Sequence, residues 1–294
     1  MSLRAIIVYC LLALAASWGI QYGGLAVLGA FDGPEAAPWL LSSMWSPTIV
    51  ALGFLVFHRP ARRGLLWKPT LPGLPLALVA IGVPTLTGFG LVAVFEALGW
   101  GDAGWFDFAA SGVTITRGPW KLGGGSQNWL LFVANVAATG VWFALLNLDA
   151  AVGEEFAWRG FLQGHVIGRL GQTAGLTCLG LFWSFWHLPA LLSGYNYPEH
   201  PVLGALVLFP ATLVAMAFFY GWLTLRARSF WPAALAHGAA NSIQIGVISN
   251  LKLTVPSLYL DLAGLVVSML VGLVAWWALS RRQVPAEERQ TAPA

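Results

Sequence analysis

The sequence predicts an all-α fold: a polytopic transmembrane bundle of about eight helical spans. Three observations predict it. Hydrophobic residues make up 58% of the 294 positions, only 9% are charged, and the mean hydropathy is +0.73. Soluble domains are nearer half apolar and a quarter charged. The apolar residues also gather into eight long runs, each near the roughly 20 residues that a bilayer requires. Finally, the cations fall in the short connections between those runs.

The runs cover residues 5–30, 38–57, 71–95, 128–148, 172–193, 202–225, 231–250 and 257–279. The first follows Arg4 and opens like a signal peptide, with Ala13-Leu14-Ala15 resembling a cleavage site. Apolar sequence continues to Ala30, too long for a simple signal core, so the run is read as a retained anchor. Pro72, Pro75 and Pro84 are expected to kink the third run, which neighbouring helices tolerate. Residues 101–127 are rich in glycine and polar residues and are expected to form an outer loop resting on the interface. Residues 1–280 read as one integral-membrane domain, and 281–294, with Pro285 and Pro293, as a disordered cytoplasmic tail. Cys10 and Cys178 lie in apolar runs and read as buried small hydrophobes rather than a disulfide or zinc framework.

The net charge of +3 and pI near 9.1 do not imply a nucleic-acid partner, because the cations are scattered through loops. They report topology instead. With the N-terminus in the cytoplasm, Arg4, Arg59, Arg62, Arg63, Lys68, Arg159, Arg169, Arg226, Arg228, Arg281, Arg282 and Arg289 lie inside. Only Arg117, Lys121 and Lys252 lie outside. Both termini are therefore expected on the cytoplasmic side of a plasma or inner membrane.

Against this apolar background the stretch Gly153-Glu154-Glu155-Phe156-Ala157-Trp158-Arg159-Gly160 is exceptional. Ionisable groups beside lipid are costly, and their default reading is functional. On a helix, Glu155 and Arg159 are four apart in the favourable order for an ion pair. Glu154 points about 100° away, with no partner expected inside the motif. The other strongly polar residues within runs are His187 in the fifth and, one turn apart on a shared face, His237 and Asn241 in the seventh. His58, His165 and His200 lie in or beside loops and are read as solvated.

At these residues the chain resembles the CPBP family of CAAX proteases and bacteriocin-processing proteins, also called Abi or type II CAAX prenyl proteases. Its glutamate pair followed by arginine matches Glu154, Glu155 and Arg159. Its aromatic four residues before a histidine is met by Trp183 and His187, with Phe182 one residue off the usual phenylalanine position. Its histidine and asparagine four apart match His237 and Asn241. The resemblance covers about residues 128–250, which it marks as the catalytic core.

The resemblance implies an intramembrane endopeptidase with a cavity open to the cytoplasm, acting on membrane-associated, lipidated or hydrophobic peptides. Glu154 and His187 would activate water, His237 and Asn241 would hold the oxyanion, and Arg159 would hold Glu155. Peptide hydrolysis needs such a base and such donors. No cofactor is favoured. The alternative is zinc on Glu154, His187 and His237, with an open water position, although no His-Glu-x-x-His helix is present. Two other functions compete: a proton-coupled transporter, since intramembrane glutamates and histidines also build relays, and a non-catalytic scaffold or immunity protein. Bringing His187 and His237 to one depth requires a tilt, a register shift or an early end of the fifth run at Pro189. Glu154 must also lie within an extension of the fourth.

Overall fold

The computed structural model describes residues 1–281; the expected tail, apart from Arg281, lies outside the described residues. The chain is an integral membrane protein built almost entirely of helices. The eight apolar runs become α1 (Leu3–Leu28), α2 (Ala37–Phe57), α3 (Gly73–Ala97), α4 (Trp129–Leu146), α7 (Gln172–Trp186), α10 (Phe209–Ala227), α11 (Trp231–Gly246) and α12 (Leu258–Ser280). Between them lie α5 (Leu148–Glu155), α6 (Gln163–Leu170), α8 (Leu188–Leu192) and the single turn α9 (Pro201–Leu203). Among the described residues, six helical segments are long and apolar enough to cross a membrane. The two that fall short are α7, of 15 residues, and α11, of 16. They carry His187 at an end and His237 in the interior; α11 is largely buried, whereas α7 keeps an outer face with Cys178, Leu181 and Phe185 exposed.

Local sequence sets the ends. Ser2 caps α1 by accepting from the Ala5 N–H, and Asn128 caps α4 by accepting from Leu131. Gly29, at φ 81°, closes α1 in a conformation that favours glycine. Of the three prolines expected to kink the third run, only Pro84 lies in the interior of α3; Pro72 caps it and Pro75 sits in its first turn. Leu11, Val27, Phe57, Leu74 and Leu86 point outward and are more than half exposed, as lipid-facing side chains are.

The middle of the bundle is the antiparallel neighbourhood of α10 and α11. α10 packs on α7 and α12, while α11 packs on α3, α4 and α5. α1 and α2 form a pair whose second member closes on α5. Close approaches are made by small residues. A Cβ added at Gly180 of α7 would meet the Val214 Cα of α10 at 2.6 Å, and one at Gly272 of α12 would meet the Ala215 Cα at 2.7 Å.

The stretch expected as a loop at 101–127 is folded. β2 (Phe106–Ala109), β3 (Gly112–Ile115) and β4 (Gly125–Asn128) form an antiparallel meander, and β1 (Gly101–Asp102) pairs with β5 (Lys252–Leu253). Aromatic packing stabilises it: Phe106 contacts Trp105, Phe108, Trp120 and Phe132. The three histidines read as solvated are each half-buried. His165 bonds the Ala61 carbonyl and the N-terminal amine, and His58 and His200 each bury an unpaired Nε2. Cys178, expected to be buried, is exposed on α7; both cysteines are free.

Candidate active site

Glu154 lies deep because the fourth run does not end where its apolar residues do. α4 breaks at Asn147, and the helix resumes as α5, passes through a wider π-helical segment over Phe156–Leu162 and continues as α6. The i,i+4 spacing then sets the first contacts. Arg159 Nη1 donates to Glu155 Oε1 at 2.9 Å, as the sequence predicts. Glu154 also has a partner inside the motif, contrary to expectation: Trp158 Nε1 donates to its Oε2 at 3.3 Å. A second indole, that of Trp183 on α7, donates to the same oxygen at 2.5 Å. Glu154 is 1% exposed, and Glu155 and Arg159 are fully buried.

Glu155 holds more than the arginine. Its Oε1 also receives His237 Nδ1 at 2.9 Å, so one carboxylate oxygen joins α5 to α11. Removing one partner from a buried pair leaves an uncompensated charge and costs about 3–5 kcal/mol. The Arg159 guanidinium lies 4.2 Å from the Trp183 ring centre and 5.2 Å from that of Tyr220, which replace part of its hydration by cation–π contact. Tyr220 in turn stacks on His237, with ring centres 5.8 Å apart.

His187 sits where α7 ends, and the fifth run does not stop there but continues as α8 with Pro189 in its first turn. His187 Nδ1 lies 2.9 Å from the Trp183 carbonyl. A carbonyl only accepts, so Nδ1 carries the hydrogen and the neutral ring presents a bare Nε2. The aromatic of the second motif is thus Trp183; Phe182 packs instead on Trp158. Asn241 donates from Nδ2 to Asn147 Oδ1 at 3.2 Å, which leaves its second amide hydrogen uncommitted.

Glu154, Trp183, His187, His237 and Asn241 line one cavity of about 330 Å³, with further walls from α3, α10 and α12. All six residues singled out in the sequence are therefore brought together, four at the cavity and Glu155 and Arg159 behind it. Among the described residues, no group of three or more His, Cys, Asp or Glu side chains is arranged to hold a metal ion. Sequence reasoning missed Trp158, Tyr220 and Asn147. The first lay at the i+4 position from Glu154, but a tryptophan is easily read as packing alone.

A search of the curated proteins finds no match to the chain. Residues 135–243 match the family model described as type II CAAX prenyl endopeptidase Rce1-like, and all six of these residues fall inside the match. The core of the chain is thus similar to the Rce1-like type II CAAX prenyl endopeptidases over a little more than a third of its length.

Proposed function

We propose that this protein is an intramembrane endopeptidase that hydrolyses a peptide bond of lipidated or hydrophobic peptides, with Glu154 as the base for water. One observation carries the reading. Glu154 is almost wholly buried and held through Oε2 by two indoles, yet it lines the same cavity as His187, His237 and Asn241.

The donors on Oε2 leave Oε1 as the oxygen for water. Water bound between Glu154 and the bare Nε2 of His187 gives up a proton as its oxygen attacks the scissile carbonyl. The oxyanion that forms takes hydrogen bonds from the free amide hydrogen of Asn241 and from His237 Nε2. The latter is a donor only in the imidazolium, because Nδ1–H is already directed at Glu155. As the C–N bond breaks, the proton taken from water passes to the leaving amine. The Rce1-like match supports a prenylated CAAX-type peptide as substrate, and the cation distribution supports a cytoplasmic opening with both termini on that side.

The test is cleavage of a farnesylated peptide ending in Cys-Ala-Ala-X by purified protein in detergent or liposomes. Glu154→Gln keeps the size and removes the base, so kcat should fall by roughly 10²–10⁴ while the protein stays folded. Full cleavage by that variant would sink the reading.

A further inference from the structure

Trp186 and Ala190 are four residues apart, the spacing of one helical rung, yet that rung is open. The Ala190 N–H donates to Gln21 Oε1 at 3.2 Å, and the Trp186 carbonyl accepts from Gln21 Nε2 at 3.0 Å. A side-chain amide from α1 is thus threaded into the junction between α7 and α8, bonding on both sides as a peptide unit would. The following rung is intact: the Leu191 N–H reaches the His187 carbonyl at 3.1 Å. Pro189 has no N–H to offer, which weakens the helix at the same place.

The orientation of the amide is fixed by its partners, since a carbonyl only accepts and an N–H only donates. Its Nε2 also reaches Ser17 Oγ at 2.8 Å and Ser43 Oγ at 3.1 Å, and these two hydroxyls bond each other at 2.7 Å. Trp18 Nε1 gives the Trp186 carbonyl a second donor at 3.2 Å. Gln21 is 2% exposed and borders the cavity that His187 lines.

A group inserted into the rung ladder is a known cause of a sharp helix bend. Here the residue immediately after the opened carbonyl is His187. We propose that Gln21 is a positioning residue for the reaction: its amide, inserted between Trp186 and Ala190, holds the chain open at His187 and sets the direction in which Nε2 faces the cavity. This inference rests on the protease reading and deepens it, and it gives a role to a helix outside the matched residues 135–243.

The test measures kcat and KM of the full chain with the same farnesylated peptide. Gln21→Met keeps length and volume and removes both bonds to the helix. Because small misplacements of catalytic groups are costly, kcat should fall roughly 10–100-fold with KM little changed. Ser17→Ala withdraws one acceptor from Gln21 but leaves both helix bonds, and kcat should stay within about twofold. A purely structural polar knot would respond to both changes alike. Equal losses in the two variants, or a raised KM at unchanged kcat for Gln21→Met, overturn the proposal. Should Gln21→Met fail to fold, Trp18→Phe replaces it, with kcat expected to drop by roughly 3–10-fold and an unchanged kcat counting against the proposal. Wild-type cleavage that survives Gln21→Met refutes the positioning role alone. A wild-type chain that cleaves no such peptide refutes the protease reading beneath it as well.

Discussion

Trp183 reaches three members of the site from one position. Its indole N–H donates to Glu154, its ring lies over Arg159, and its carbonyl accepts from His187. Trp183→Phe removes only the first of these outright, because the ring face and the backbone remain. We expect kcat to fall roughly tenfold or more and the melting temperature in detergent to fall by a few degrees, since the lost bond is to a charged acceptor worth about 1.5–3 kcal/mol. Kinetics and thermal unfolding of the same preparation check it; an unchanged kcat would mean that Trp158 alone holds Glu154. Spacing made part of this arrangement readable in the sequence. Glu155 and Arg159 meet because they are four apart, and His237 shares a face with Asn241 for the same reason. The bond from His237 to Glu155 was not readable, because it joins residues 82 apart through tertiary packing.

At the level of elements, α10 is held to α7 and to α12 by close contact between small residues and backbone. Gly180 brings α7 against the backbone of α10, and Gly272 brings α12 against the same helix. A methyl at either position would meet backbone, which cannot swing aside, so Gly180→Ala and Gly272→Ala should each destabilise by about 1–3 kcal/mol. Paired melting curves in one detergent would show this; no loss at Gly180 would mean that α7 and α10 separate freely. The same elements explain what the sequence hid. Hydropathy finds a run of apolar residues but not the break at Asn147, so the extension of the fourth run into α5 was inferred only from the need to bring Glu154 inward. The meander at 106–128 was read as a loop because its glycines dominate the composition, although Phe106, Phe108, Val113 and Ile115 alternate as strands do.

Across the whole molecule, the meander and the connector around Arg228 lie at opposite ends of the bundle by chain order, since helices separate them. Single cysteines introduced at Ser126 and Arg228, in a background lacking Cys10 and Cys178, should therefore label from opposite sides of sealed vesicles. A membrane-impermeant maleimide should reach Arg228→Cys from the side proposed as cytoplasmic; labelling of both positions from one side would refute the topology. The two short helices have a consequence at this scale as well. A 15-residue helix such as α7 is about 22 Å long, whereas the hydrocarbon layer is about 30 Å thick. α8 (Leu188–Leu192) takes up the remaining length, so the fifth run matches the layer with the junction at His187 inside it. An enzyme working in oil, as proposed here, would have to draw its second reactant from outside, and a break at that depth leaves polar groups for water to meet.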